Sequence, residues 1–285
     1  MQFQQALLQR ASDGNLAIHL CSHEFKSEWH SRALSVCEAF STDPPPLELA
    51  EVLFVQRLDK NLFMIIRSMA SRRIGTAPAR FHVLVASRAN YSRAQCDPFL
   101  LAERFPSDWN ATSELPELEW PEQPLPIRTV AEVQKILKRT NGPEMLGGSQ
   151  ALIDGSQLLF PRSAPDLELV RGVWRLLPYG NRLEVMPASF AWNNALKFEL
   201  VVAPADRSDR FTGFMTEEQA GGYPEGRYEL SLQTAAEAND QESLDILFAR
   251  RSRREVWRLG ILLVVVMGIL ALAIQIMSPV AKHAK

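Results

Sequence analysis

Hydrophobic positions along this chain change their period several times, and each change predicts an element. Residues 16–21, LAIHLC, follow the turn-like Ser12-Asp13-Gly14-Asn15 and read as a short strand. From Lys26 to Phe40 the residues Trp29, Ala33, Val36, Cys37 and Phe40 recur at three- and four-residue steps, which predicts a helix. Asp43-Pro44-Pro45-Pro46 would stop it. Glu51–Leu58 and Leu62–Met69 are β-rich, and Asp59-Lys60-Asn61 between them suits a short hairpin loop. Arg80–Ser87, RFHVLVAS, predicts a third strand. Asp97 stands where a cap would, with Pro98 at the first helical position before Phe99, Leu100, Leu101 and Phe105.

Prolines at 106, 116, 121, 124 and 126 exclude regular helix from residues 106–127 and predict an extended connection. Trp109 and Trp120 should pin it to a domain surface, because a large exposed indole forfeits its burial energy. Thr129 and Glu132 form a capping-box pair for a helix that Asn141-Gly142 would end. Asp154-Gly155 lies between the apolar runs Ala151–Ile153 and Ser156–Phe160, and predicts a hairpin. Pro165 opens a helix with a stripe of Leu167, Val170, Val173, Trp174 and Leu177. Arg182–Met186 and Lys197–Ala203 read as further strands, with a polar loop at 204–213. Thr216 and Gln219 suggest another capping box. From Pro224 the pattern is helical, broken at Asn239-Asp240 and resuming through Leu244, Leu247 and Phe248.

The last period is no period at all. Leu259–Met277, LGILLVVVMGILALAIQIM, carries no formal charge, and Gln275 is its one strongly polar side chain. A run of about twenty such residues predicts a transmembrane helix, because Leu, Ile and Val each favour insertion by about 0.3–0.6 kcal/mol. Arg250, Arg251, Arg253, Arg254 and Arg258 precede the run, with Trp257 at its edge, and only Lys282, His283 and Lys285 follow it. That asymmetry predicts a tail-anchored, single-pass protein of the inner membrane with its N-terminal domain cytoplasmic. The helix after Asn239-Asp240 would run straight into the span. The expected division is an α+β domain at 1–105, the proline-rich connection at 106–127, a second α+β unit at 128–213, a helical segment at 214–256, the membrane helix at 257–278 and a tail at 279–285. The expected fold class is α+β, with mainly antiparallel sheets and packed helices.

Composition narrows the function. The chain has 285 residues, a net charge of −2, 46% hydrophobic and 22% charged residues, so no basic field points to nucleic acid. The N-terminus MQFQQALLQRASDGN lacks the apolar run of a signal peptide. Cys21, Cys37 and Cys96 are too scattered for a disulfide framework, which fits a reducing compartment and leaves the Asn110-Ala111-Thr112 sequon unused.

Catalytic and metal chemistry is thin. His19, Cys21 and His23 alternate, so a strand would set them on one face as candidate zinc ligands, with His30 and Cys37 nearby. No Cys-x-x-Cys or His-x₃-His pair accompanies them, and half-buried side chains explain the alternation equally well. Cys37 with His82 is a candidate nucleophile and base without a recognisable activating environment. Leu146-Gly147-Gly148-Ser149 lacks the Lys-Ser/Thr of a phosphate loop and reads as a turn. Glu217 and Glu218, with Glu225, suit a helix start better than an acid–base pair. Arg72-Arg73, with Arg67 and Arg80, reads as a solvated basic loop.

The stretches RFHVLVASRANYSRAQCDPFLLAERFP, LGGSQALIDGSQLLF, LVRGVWRLLPYGNRLEVMPASFAWNNALKFELVV and TEEQAGGYPEGRYELSLQTAAEANDQESLDILFARRSR resemble a bacterial family. It is related to the GTPase-associated protein 1 group and found largely in planctomycete-type genomes. The likeness covers roughly residues 80–252. It implies an adaptor working beside a small GTPase/effector module, interaction rather than catalysis, and offers no established functional residues to carry over; no cofactor is expected. The reading that follows is a membrane-anchored cytoplasmic adaptor with a protein partner. A membrane-bound Cys/His hydrolase or zinc-binding protein is the alternative.

Overall fold

A computed structural model describes residues 2–11, 14–42, 51–69, 80–120, 128–223, 226–250 and 253–277. The expected helix stop at Asp43–Pro46, the Arg72-Arg73 loop, Glu225 and the tail at 279–285 lie outside them. The architecture is α+β around a single mixed sheet.

The N-terminal part supplies its antiparallel strands: β1 (Gln2–Arg10), β2 (Leu16–Cys21), β3 (Val52–Arg57), β4 (Leu62–Ser68) and β5 (Arg80–Ser87). Helix α1 (Ser27–Ser41) buries Trp29, Ala33, Cys37 and Phe40, the stripe that its spacing predicts. The β3–β4 hairpin forms across 58–61, where Asp59 accepts from the Asn61 amide at 2.6 Å. No strand was expected at 2–10. Its polar Gln2, Gln4, Gln5 and Gln9 hide a central strand, with Phe3 through Leu8 all buried. Gln4 and Gln5 are tolerated there because each amide has a buried partner, Ser22 for Gln4 and His82 for Gln5.

Helices α2 (Arg88–Arg93) and α3 (Pro98–Arg104) follow. The Asp97 carboxylate accepts from both the Phe99 and Leu100 amides at 3.0 Å, as its place before Pro98 predicts. In the proline-rich connection, β6 (Leu118–Glu119) pairs with the start of β1, and Trp120 packs edge-on to Phe105 at 5.9 Å.

Helices α4 (Val130–Leu137) and α5 (Gly142–Asp154) lead into β7 (Leu158–Pro161), α6 (Leu167–Leu176), α7 (Tyr179–Arg182), β8 (Pro187–Ala188) and β9 (Leu200–Ala203). A 3₁₀ turn over Ala205–Phe211 precedes β10 (Met215–Thr216), α8 (Glu217–Gly221), α9 (Arg227–Glu237), α10 (Gln241–Phe248) and α11 (Arg253–Met277). Both capping boxes, Thr129 with Glu132 and Thr216 with Gln219, are made. Strands β8, β9, β7 and β10 are mutually parallel, and β8 joins the antiparallel part by pairing Ala188 with Phe54 of β3. The sheet order is β10-β7-β9-β8-β3-β4-β5-β1-β2.

Three expectations need correction. The hairpin around Asp154-Gly155 is the end of a helix: Ala151–Ile153 belong to α5, and Gly155 (φ 97°) is its left-handed cap. Residues 182–186 are not a strand, since Arg182 closes α7 and a turn follows. The C-terminal expectation also changes. Residues 253–277 do form one helix, but among the described residues no helix is long and apolar enough to cross a membrane. The transmembrane, tail-anchored, single-pass description, the membrane as partner and the inner-membrane location with a cytoplasmic domain are corrected on that finding. Nor does α10 continue into this helix, because it stops at Phe248.

Candidate functional site

The residues singled out in the sequence do not converge. His19 is exposed on β2, Cys21 is half-buried, and exposed His23 lies 3.5 Å from the Glu114 carboxylate. Among the described residues no three His, Cys, Asp or Glu side chains are grouped as metal ligands. Burial, and then Glu114, raise the Cys21 thiol above its ordinary pKa. Burial holds the Cys37 thiol well up, and takes Cys96 to about 12. None of the three is an activated thiolate. Glu217 is held in a two-pronged pair by Arg162, with both contacts at 2.6 Å. Arg67 pairs with Glu51 and donates to the Ala102 carbonyl at 3.1 Å. Leu146–Ser149 sit inside α5, where they offer no free backbone amides to a phosphate.

His82 does have a serine against it. Gln5 donates its amide N–H to the Pro116 carbonyl (2.7 Å), which leaves Gln5 Oε1 to accept from His82 Nε2 at 2.9 Å. His82 Nδ1 then accepts the Ser107 hydroxyl at 2.9 Å. The shape is that of a serine–histidine pair, but its chemistry is wrong for a base. Burial, and then the Arg67 charge, lower the His82 pKa to about 3. A proton taken from Ser107 would have to rest on that imidazole, and the site disfavours it by about 5 kcal/mol relative to an ordinary histidine. The pair instead ties the segment after α3 to the sheet.

A dense polar site at the end of α6 was not legible in the sequence. Four consecutive carbonyls end α6, and of these only Trp174 O has a backbone partner at the helix end, the Leu177 amide at 3.2 Å. Here each accepts from a side chain. Arg182 Nε donates to Trp174 O at 2.9 Å. Arg128 Nη1 donates to Arg175 O at 2.8 Å and to Leu177 O at 2.7 Å. The Tyr228 hydroxyl donates to Leu176 O. Both guanidiniums are buried without a carboxylate ion pair among the described residues. They answer the negative end of the helix dipole instead. Burial, and then the Arg182 charge, lower the Arg128 pKa to about 9. Arg128 lies between the rings of Tyr179 (4.4 Å) and Phe248 (3.5 Å), a cation–π stack that moors α10. Gln241 adds to it, accepting from the Val130 amide at 3.0 Å and donating to Arg128 O at 3.0 Å. A lone arginine beside a proline-rich stretch carries no signal of this role.

Beyond that mooring the surface changes character. Arg250 and Trp257 are exposed, Arg251 lies outside the described residues, and the backbone of Arg253, Arg254 and Arg258 belongs to α11. Every described side chain from Leu259 to Ile274 is exposed, from 45% at Leu259 to 70% at Val264. A Cβ built on Gly260 or Gly268 would meet nothing within 4 Å. Most other large apolar side chains among the described residues belong to one core that runs from Phe3 to Phe248, with Met69, Leu167, Leu230 and Ile246 as exposed exceptions. A separate cavity of about 520 Å³ lies among α4, α5 and α9, lined by Leu137, Leu146 and Ala236 together with Glu229 and Glu237.

No protein-family model matches this chain, and no curated protein matches it.

Proposed function

We propose that this chain is an interaction protein, an adaptor without catalytic chemistry of its own, which offers α11 to an apolar groove on a partner protein. The observation that carries this reading is the exposure of α11 from Leu259 to Ile274 beside a core that buries nearly every other large apolar side chain. Such a surface marks an interaction site, because burying each Leu, Ile or Val is worth about 1.5–3 kcal/mol. A helix that is apolar all round is stable only when it is enclosed. The arginines from 250 to 258 favour a groove with an acidic lip. The resemblance over residues 80–252 points to a component of a small-GTPase module as the partner. The buried thiols and the neutral His82 weigh against the Cys/His hydrolase alternative.

Cross-linking of the full chain in host cells, in parallel with Val264→Glu and Leu270→Glu variants, tests this. The expected outcome is a protein cross-linked to residues flanking α11, with yield reduced at least about tenfold in both variants. Cross-links to lipid alone, or protein cross-links that both variants retain in full, would sink the proposal. Absence of any GTPase-system component among the captured proteins would remove the GTPase part of it.

A further inference from the structure

Helices α4 and α6 repeat one charge pattern. Glu132, Lys135 and Arg139 on α4 and just beyond it follow Glu-x-x-Lys-x-x-x-Arg, and Glu168, Arg171 and Arg175 on α6 follow Glu-x-x-Arg-x-x-x-Arg. Steps of three and four residues set each trio on one helix face. The faces meet head to tail. Arg175 Nη1 reaches Glu132 at 2.7 Å at one end, and Arg139 Nη2 reaches Glu168 at 3.5 Å at the other. Between these crossed pairs lies a cavity of about 200 Å³. Ile136 and Gly172 complete its lining, and Gly172 adds no side chain to it.

The charges at this cavity do not cancel. Four cationic and two acidic side chains line it. Glu103 holds both Nη atoms of Arg171 from outside the lining, with one contact at 2.9 Å, and Glu168 Oε1 lies 3.9 Å from Arg171 Nη1. Lys135 has no ion-pair or hydrogen-bond partner among the described residues, and Arg171 Nε has none either. Pairs this exposed are worth at most about 1 kcal/mol each, so helix docking alone is a weak reason for so many cations. Like charges gathered in a concave site focus a positive potential into it. Guanidinium forks and an ammonium are complementary to a tetrahedral oxyanion, and the cavity has room for a phosphoryl group on a small alcohol.

We propose that the α4–α6 groove binds the phosphoryl group of a small phosphate monoester, with Lys135 and Arg171 as its ligands and Arg139 released from Glu168 to join them. The site stands apart from α11 and does not depend on what covers that helix.

The test is calorimetric titration of the full chain, in non-ionic detergent at low ionic strength, with inorganic phosphate and with glycerol 2-phosphate. Both should bind, and chloride at matched ionic strength should not compete at equal concentration. Lys135→Gln should weaken binding about fivefold or more, through loss of one charge-assisted contact. Glu168→Gln should tighten it about threefold, because it removes a competing carboxylate and frees Arg139. Purely structural ion pairs predict the reverse for Glu168→Gln, a lower melting temperature with no gain in affinity, and that result would overturn the assignment. Equal affinity of wild type and Lys135→Gln would overturn it too, as would a phosphoserine peptide binding at least tenfold tighter than glycerol 2-phosphate, which would make the ligand a protein.

Discussion

His82 shows how much a single side chain reveals once its neighbours are known. Its folded pKa of about 3 lies below the ordinary 6.5, so the unfolded chain takes up the proton first. The associated stability is complete above about pH 6.5 and is lost as pH falls toward about 3, by up to about 5 kcal/mol. Wild type minus His82→Gln isolates this from carboxylate titration. Urea unfolding at steps between pH 7 and 4 should show wild type losing stability faster, by up to about 1.4 kcal/mol per pH unit. Parallel pH profiles would mean that His82 takes up its proton as readily in the folded protein as in the unfolded chain, against the lowered pKa that burial gives it. The strand that holds His82 was legible in the sequence, but its role was not. RFHVLVAS reads as a strand from its composition, whereas Gln5 and Ser107 reach the imidazole only through the β1–β5 pairing and the return of the chain after α3. The same holds for Arg128 and Arg182, whose partners are backbone carbonyls that sequence patterns do not display.

At the scale of the element, α5 is the instructive case. Its residues Met145 through Leu152 are all buried, so no polar face marks it as a helix. Asp154-Gly155 then imitates a hairpin, since a type I′ turn and a helix end both need φ above zero. The Ser156 amide reaches back to Ala151 O at 2.9 Å and closes the helix. Gly155→Ala should cost about 1 kcal/mol from backbone conformation alone, because a Cβ there meets nothing within 4 Å. Gly147→Ala should cost distinctly more, because its Cβ would fall 2.1 Å from Ala220 O and push α8 away. Chemical denaturation of the two variants checks the order, and equal losses would contradict this packing. The capped helices were easier to find. Asp97-Pro98, Thr129 with Glu132 and Thr216 with Gln219 act within one turn, and local chemistry is what a sequence displays.

At the scale of the molecule, the seam between β3 and β8 connects the two ends of the sheet. Phe40 stacks on Phe54 at 4.2 Å and meets Trp192 at 4.7 Å, and Phe54 lies edge-on to Phe198 at 5.9 Å. Ser189 accepts the Leu53 amide on its hydroxyl at 2.9 Å and returns its own amide to Leu53 O at 2.8 Å. Phe54→Ala should therefore cost about 3–5 kcal/mol and lower the unfolding midpoint of both parts together. Hydrogen exchange followed on β4 and on β9 reads the two parts separately. Loss of protection on β4 alone would show that residues 128–213 hold together without the seam.

The amino-acid sequence by itself determined the elements whose cause is local: the amphipathic α1 and α6, the β3–β4 hairpin, the strand at 80–87 and the helix starts with caps. It also displayed an uncharged run from Leu259 to Met277 that no ordinary surface helix would carry. Tertiary structure alone decided that a glutamine-rich N-terminus is a central strand, and that β8, β9, β7 and β10 run parallel beside an antiparallel sheet. It also set two arginines at the end of α6 and made matching charge patterns on α4 and α6 face one another. The physical reason is range. Caps, turns and periodicity act over one to two turns of chain, whereas strand pairing, buried hydrogen bonds and converging charges join residues tens of positions apart.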